Sequence, residues 1–166
     1  QGIVVIHKDS DINSIQELDG KQIAFPAPAA FAATLIPLAS MRQLGIDVEP
    51  IYVLSHDSVY LNVEREFLIA GGGIVRTLNT LPEETRKNLK VLWKSKQYTP
   101  HAIASKSSIS NETRKSILDA LLSLNDDPEY AERLKAIGLE GFESANNNDW
   151  ADIRELVSKQ LISSQH

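Results

Sequence analysis

The sequence contains no cysteine, a single methionine and few aromatic residues, 6% in total. Without cysteine, the chain has no disulfide framework, no thiol nucleophile and no cysteine-ligated zinc or iron–sulfur centre. No apolar run approaches the roughly 20 residues that cross a bilayer as a helix. The fold must therefore be stabilised mainly by burial of apolar side chains.

Basic charge is also scarce, with 17 Lys and Arg residues against 22 Asp and Glu residues and a net charge of -5. A nucleic-acid surface needs clustered Lys and Arg, and here these residues are dispersed. The same dispersal gives no support to a membrane-surface role. With 166 residues, 42% of them hydrophobic, the chain fits one domain or one domain with an appendage.

Short apolar, often β-branched runs alternate with helical patterns over the first two thirds of the chain. This alternation predicts an α/β fold with a mostly parallel sheet between two layers of helices. The predicted strands are 3–7, 21–25, 48–54, 67–70, 89–93 and 101–104. The predicted helical segments begin after Ser14, within 29–44, near His56, near Val75 and at Pro82.

After Ser110 the sequence predicts helices alone. One helix starts after Ser110, a second starts at Pro128, and a last one covers 150–161 with Asn148 or Asp149 as its N-cap. We therefore expect an α/β lobe over 1–109 and a C-terminal helical segment over 110–166. Because the chain opens inside a strand, we expect it to be a processed or partial product.

Polar or small-residue turns follow three predicted strands, at 26–32, 55–58 and 71–76. Ligands of open α/β sheets bind at the carboxyl ends of parallel strands. Each turn precedes a predicted helix, whose first N–H groups and positive dipole end favour an anion. These turns are the candidate site.

Each turn also has a plain structural interpretation. The small residues of 26–32 either admit a ligand to the backbone or serve tight helix–sheet packing. Ser55 or Asp57 is expected to cap a helix, whereas His56 is the stronger ligand candidate. Tyr60, one turn later, either lines the same pocket or is simply half-buried.

Three consecutive glycines, Gly71 to Gly73, imply positive φ angles or a close backbone approach. Their spacing is not that of a dinucleotide fingerprint, and the Lys-Ser/Thr of a phosphate-binding nucleotide loop is missing. Arg76 follows them, and it makes either a two-pronged contact with an anion or a surface salt bridge.

Catalytic patterns are absent from the sequence. There is no serine elbow, no metalloprotease motif and no pair of carboxylates at helical spacing. A metal site from His7, His56 and His101 has no support in their spacing. We expect no cofactor and no catalytic residue.

Five segments in series resemble the phosphonate/phosphate-type solute-binding proteins of ABC importers, which are type II periplasmic binding proteins. The segments are SIQELDGKQIAFPAPAAFAATLIPLASMRQLGID, YVLSHDSVYLNV, AGGGIVRTL, YTPHAIASK and ALLSLNDDPE. The resemblance implies two α/β lobes joined by hinge strands, with the ligand held between them. This chain would be the second lobe with the C-terminal helices, without the N-terminal lobe, and 3–7 and 101–104 would lie at the hinge.

The resemblance also implies a position for the ligand. Family members bind the phosphonate head through hydroxyls and N–H groups at the turn that matches Ala29 to Ala32. Relatives carry a Ser-Thr-Ser run there, whereas this sequence has Ala30-Phe31-Ala32. The family's acidic residue for an aminoalkyl group is replaced around 69–73. A small anion held by backbone N–H groups is therefore the expected ligand, and the sequence does not identify it.

We therefore predict a substrate-binding lobe of an ABC importer, exported from the cytoplasm, with an ABC permease as partner and a tendency of the fragment to self-associate. The alternatives are an extracytoplasmic sensory domain of the same fold and, less favoured, an enzyme with His56 as its base. The predicted ligand-binding residues are Ala30, Phe31, Ala32, Ser55, His56, Ser58, Tyr60, Gly72, Arg76 and His101.

Overall fold

The computed structural model describes residues 1–99 and 102–156. These residues form two compact units, one of Gln1 to Tyr98 together with 152–156, the other of the described residues between Thr99 and Ala151. The sequence placed the boundary between 109 and 110. In the structure, the first such division falls between 98 and 99, eleven residues earlier, and 152–156 belong to the first unit.

A five-stranded mixed sheet organises the first unit, with the strand order β3-β2-β4-β1-β5. Strand β2 pairs in parallel with both β3 and β4, whereas β1 runs antiparallel to β4 and β5. The predicted α/β class is confirmed, with β1 as the one strand of opposite direction. The strands are β1 (Gly2–His7), β2 (Gln22–Phe25), β3 (Glu49–Tyr52), β4 (Ala70–Ile74) and β5 (Leu89–Lys94).

Helices connect these strands and cover the sheet. The connections of the first unit are a 3-10 turn (Ile15–Leu18), a π-helical turn (Phe31–Leu35), α1 (Ile36–Gln43), α2 (His56–Glu64), α3 (Val75–Thr80) and α4 (Glu83–Arg86). None of the helices in the described ranges 1–99 and 102–156 combines the length and the hydropathy needed to cross a membrane.

Alternating side chains of β1 build the core on both faces of the sheet. Val4 and Ile6 pack into the cluster that also contains Met41 of α1. Ile3 and Val5 face the opposite way and pack with Tyr60 and Val63 of α2. Since all four β1 residues are fully buried, this central strand has the continuous apolar sequence of a strand covered on both sides. The three-layer arrangement is thus confirmed.

The three glycines lie within β4, and not in a turn after it. The sequence placed the fourth strand at 67–70 and ended it at Gly71, whereas the strand runs from Ala70 to Ile74. Glycine is a poor strand former, so propensity argued against this assignment. None of the three has a positive φ, which leaves close approach as their reason.

The glycines bring neighbouring groups directly against the sheet. A Cβ atom at Gly71 would lie 2.4 Å from a Val59 methyl carbon, and one at Gly73 would lie 2.3 Å from the Tyr60 hydroxyl. At Gly72, the Cβ would lie 2.2 Å from the Ala33 carbonyl oxygen. Because these three positions lack a Cβ, α2 packs closely against one face of β4, and the turn that precedes α1 packs closely against the other.

The predicted helix over 29–44 is divided. A π-helical turn occupies Phe31–Leu35, and α1 follows with Pro37 in its first turn. Proline is tolerated at that position because the first N–H groups of a helix lack intrahelical acceptors. The α-helix therefore starts late within 29–44, at Ile36.

The second unit contains α5 (Asn111–Ser123) and α6 (Pro128–Ala136), both predicted, joined by a 3-10 turn. Ser110 and Asp127 cap the two helices through their side chains. The last helical segment begins as a 3-10 turn after Asn146, so the predicted cap at Asn148 or Asp149 was wrong. Here Asp149 instead accepts the Asn146 N–H at 2.7 Å and completes a capping box.

The predicted sixth strand is not formed where the structure describes it. Residues 102–104 have no strand pairing, and His101 lies outside the described residues. The extended sequence was insufficient because a strand needs a neighbour to satisfy its backbone groups.

Candidate ligand-binding site

Three neighbouring parallel strands end at one edge of the sheet, and each is followed by a helical segment. In the order β3-β2-β4, they lead to α2, to the π-helical turn and to α3. The crevice outside the carboxyl ends of such strands is the usual ligand position in open α/β sheets. The structure thus brings the three predicted turns to a common edge, which we call the carboxyl edge.

The turn of residues 26–33 offers only backbone groups as hydrogen-bond donors. No described residue accepts a hydrogen bond from the N–H groups of Phe31, Ala32 or Ala33, as expected for the first residues of a helix. The next polar side chain, Thr34, is buried and donates its hydroxyl to the Ala27 carbonyl at 2.9 Å. The turn itself is pre-organised by that bond and presents free N–H groups.

The start of α2 adds hydroxyls and an imidazole. Ser55 is the N-cap, as one of the two predicted alternatives had it, and its Oγ accepts the Ser58 N–H at 3.0 Å. The two serine hydroxyls also lie 2.8 Å apart. Because Ser55 donates its proton to Ser58, the Ser58 hydroxyl proton remains free to donate elsewhere.

His56 is half-buried, and its Nδ1 atom is buried with no hydrogen-bond partner among the described residues. Burial lowers the pKa of His56, and the neighbouring Asp57 carboxylate partly opposes this by raising the pKa. The side chain is therefore held toward its neutral form, which has one donor and one acceptor nitrogen. It contributes hydrogen bonding in preference to charge.

Tyr60 and Gly72 lie deeper than the other predicted residues. Tyr60 is fully buried, and its hydroxyl interacts with the Ile74 N–H at 3.1 Å, the Ile74 carbonyl at 2.9 Å and the Thr77 hydroxyl at 2.9 Å. Burial raises the pKa of Tyr60. Both residues thus stabilise the carboxyl edge from inside the fold. Gly72 does so because its missing Cβ leaves room for the Ala33 carbonyl oxygen.

Arg76 lies in the first turn of α3, directly after β4, and takes part in interactions of its own. The remaining predicted residue, His101, is outside the described residues. The structure thus places Arg76 after a strand that ends at the carboxyl edge.

The sequence singled out Phe31, but it did not reveal the aromatic contact that this residue makes beside the turn. The rings of Phe31 and Tyr98 meet edge to face, with centroids 6.1 Å apart and planes at 80°. The Lys96 ammonium lies 4.7 Å from the Tyr98 ring centre and 2.8 Å from the Asp152 carboxylate. Phe31 and Asp152 are far from Lys96 and Tyr98 in the chain, so no local pattern could have connected all four.

Leu54 is the second feature that the sequence did not reveal. It immediately precedes the Ser55 cap, has a φ of 71° and is 92% exposed. A bulky non-glycine residue in the left-handed region is an outlier, and such strain concentrates at functional sites. Its position at the carboxyl edge fits that tendency.

A depression of about 570 Å³ lies elsewhere, at the opposite edge of the sheet. His7, Lys21, Glu66 and Phe67 are among the residues that line it. Because β1 runs antiparallel to β4, His7 lies at the edge where β4 begins, away from His56. Among residues 1–99 and 102–156 there is no group of three potential metal ligands.

The sheet order and the helix starts at one edge define a lobe of the type II periplasmic-binding-protein class. Consistent with this, the family model of the ABC-transporter phosphonate periplasmic substrate-binding proteins matches residues 1–150. The chain belongs to that family. This membership gives no support to the alternative of a sensory domain.

Solved structures with the same fold include two ligand complexes. XAC2383 from Xanthomonas citri bound to ATP is 16% identical, has a TM-score of 0.78 and is covered over 67% of its length by 99% of this chain. PhnD1 from Prochlorococcus marinus (MIT 9301) in complex with methylphosphonate is 18% identical, has a TM-score of 0.77 and is covered over 66% of its length by 96% of this chain.

The aliphatic sulphonate binding protein SsuA from Escherichia coli is 14% identical, has a TM-score of 0.67 and is covered over 61% of its length by 99% of this chain. At these identities the likeness concerns the fold. This chain spans about two thirds or less of the length of these proteins.

Proposed function

We propose that this chain supplies one lobe of the periplasmic solute-binding component of an ABC importer and binds a small anion at the carboxyl edge. The observation that carries the proposal is the common edge itself. Two helical segments of nine or more residues begin there, the π-helical turn continued by α1, and α2. Their unpaired N–H groups and dipoles favour negative charge.

The donor set suits a phosphonate-like or related oxyanion. The N–H groups of Phe31, Ala32 and Ala33 would bind its oxygens, with the Ser58 hydroxyl and the His56 ring beside them. Arg76 would supply positive charge from the third strand end. In this proposal, Ala30 and Ser55 shape the backbone, whereas Tyr60 and Gly72 hold the edge in place.

The proposal also includes a second lobe, an ABC permease and export of the protein. A second lobe would close over the ligand, the ABC permease would receive it, and the protein would be exported. A single lobe binds weakly because closure normally buries most of a ligand. Its uncovered cleft face would favour self-association. We propose binding without turnover, since the buried Nδ1 atom of His56 is hydrogen-bonded to no hydroxyl and the described residues contain no group of three potential metal ligands.

A titration followed by NMR tests the proposal and tolerates weak binding. Inorganic phosphate, methylphosphonate and methanesulfonate are added separately to the protein at constant ionic strength. We expect the amide signals of 31–33 and 56–58 to move in a saturable way with at least one of them. His56→Ala should weaken this response.

The matched control is His7→Ala, at the opposite edge of the sheet. It should leave the titration unchanged. The proposal fails if no anion moves these signals, or if the saturable changes fall on residues of the depression that His7 and Lys21 line.

A further inference from the structure

Ser95 is a buried polar residue of the first unit that the proposed site does not use. Among the described residues, Ser95 and Thr34 are the polar, non-aromatic side chains that are buried. Thr34 already holds the turn of residues 26–33 through its bond to the Ala27 carbonyl. We infer that Ser95 is a positioning residue for the same turn and orients the Ala33 N–H group toward the anion. This inference rests on the proposed function and adds to it how one of the donors is held.

The first step concerns the hydrogen bonds of Ser95. Its hydroxyl donates to the Lys96 carbonyl at 2.7 Å and accepts the Gly2 N–H at 3.0 Å. The Ser95 N–H in turn donates to the Gly2 carbonyl at 2.9 Å. Because the hydroxyl proton is committed to Lys96, the oxygen meets the Gly2 N–H with a lone pair. Both backbone groups of Gly2 are thus held by one residue, 93 positions away in the chain.

The second step concerns what lies against Gly2. A Cβ atom at this position would lie 2.1 Å from the Ala32 carbonyl oxygen, so that oxygen packs directly on the Gly2 backbone. The two N–H groups that would close a helical turn on the same oxygen do not do so. The Ile36 N–H donates to the Phe31 carbonyl, and Pro37 has no N–H. The direction of the Ala32 carbonyl therefore depends on the position of Gly2.

The third step concerns the peptide group that contains this carbonyl. The Ala32 carbonyl and the Ala33 N–H belong to one planar trans peptide group, in which they point in opposite directions. The carbonyl packs on the sheet at Gly2, and the Ala33 N–H, which has no acceptor among the described residues, points away from it. The next carbonyl, that of Ala33, packs on the neighbouring strand at Gly72. A shift of Gly2 would rotate this peptide group and turn its N–H away from an anion.

The test is the affinity for methylphosphonate and for inorganic phosphate, measured by NMR titration at constant ionic strength. Ser95→Ala should weaken binding about two- to tenfold, the effect of losing one hydrogen bond. The Ala33 amide signal should already move in the free variant, and its response to the anion should decrease more than that of 56–58. A loss of stability alone would not produce this pattern. Ser95→Thr, which keeps the hydroxyl, should restore most of the affinity.

Ser10→Ala is the matched control. The Ser10 hydroxyl also accepts a backbone N–H, that of Ile12 at 3.3 Å, but it lies at the opposite edge of the sheet. This variant should keep the wild-type affinity and the wild-type Ala33 signal. Gly2→Ala is the second test if Ser95→Ala does not fold, because its Cβ displaces the Ala32 carbonyl directly. It should show the same selective loss of response at Ala33.

Circular dichroism establishes that each variant is folded. Wild-type affinity in Ser95→Ala, or a response that decreases equally at Ala33 and at 56–58, would overturn the inference alone. Absence of binding of both anions by the wild type would overturn the proposed function, and this inference with it.

Discussion

The Tyr60 hydroxyl lies within hydrogen-bond distance of both backbone groups of Ile74, 3.1 Å from the nitrogen and 2.9 Å from the carbonyl oxygen. It thereby connects α2 to the residue at which β4 ends. The hydroxyl can occupy this position only because Gly73 has no Cβ, which would lie 2.3 Å from it. A tyrosine and a glycine together fix the geometry of the strand end that precedes Arg76.

Tyr60→Phe should therefore destabilise the protein by about 1–3 kcal/mol, because it removes the acceptor of the Ile74 N–H. The Thr77 hydroxyl still donates to the Ile74 carbonyl, at 3.1 Å. Urea denaturation measures the change. Tyr52→Phe is the matched control, since Tyr52 is exposed and lies on an edge strand. Equal stability of the two variants would contradict the assigned role of the Tyr60 hydroxyl.

Gly72→Ala should be strongly destabilising and should also weaken anion binding. Its Cβ would lie 2.2 Å from the Ala33 carbonyl oxygen and 2.4 Å from the Phe25 ring, so the turn must move away from the sheet. Overpacking of this kind costs about 1–3 kcal/mol or more.

The comparison variant is Gly45→Ala, where nothing lies within 4 Å and only the positive φ of 74° is strained. We expect it to cost about 1 kcal/mol and to leave anion binding intact. Thermal unfolding and the phosphate titration are measured on both variants. Retained binding in folded Gly72→Ala would show that the turn does not depend on this close approach.

Much of the fold follows from local sequence, and β4 shows where that inference stops. Strands such as β1 have a β-branched apolar sequence that predicts them directly. The glycines of β4 lower its strand propensity, and their function becomes visible only when Val59, Ala33 and Tyr60 are in place against them. The sequence therefore placed the end of β4 too early, because tertiary packing outweighs intrinsic strand propensity at these positions.

In the candidate site too, features that depend on local sequence could be predicted, whereas features that depend on tertiary contacts could not. The strand-end turns and the Ser55 cap could be predicted because capping and turn chemistry depend on neighbours in sequence. The contact of Phe31 with Tyr98 joins residues from distant parts of the chain. The left-handed conformation of Leu54 contradicts the preference of its own side chain, so no rule based on residue type could anticipate it.

Leu54→Gly should stabilise the protein, by about 0.5–1 kcal/mol. It relieves a left-handed conformation that costs a non-glycine residue about 1–2 kcal/mol, while the added entropy of the unfolded chain offsets roughly 0.5–1 kcal/mol. Little packing is lost, since the side chain is 92% exposed. Leu54→Ala retains the Cβ and should be close to neutral. A glycine variant less stable than the alanine variant would refute the presence of strain at this position.

His56 should make stability depend on pH below neutrality. Its pKa in the folded protein is lower than the ordinary value of 6.5, chiefly because of burial. As the pH falls through 6.5, the unfolded chain takes up a proton at this ring before the folded protein does, so the free energy of unfolding decreases. Replacement of His56 by Asn should remove that component and flatten the stability curve on the acid side.

An NMR titration of the ring protons checks the same shift directly. The Asp57 carboxylate raises the pKa of His56 against the effect of burial, so Asp57→Asn should move the His56 midpoint further down. An oxyanion bound beside the ring should move it up, because negative charge favours the imidazolium. A midpoint at or above 6.5 in the free protein would contradict the burial of the Nδ1 side of the ring. A midpoint that does not respond to saturating phosphonate would place the anion away from His56, and the proposed site would then be confined to the turn at Phe31.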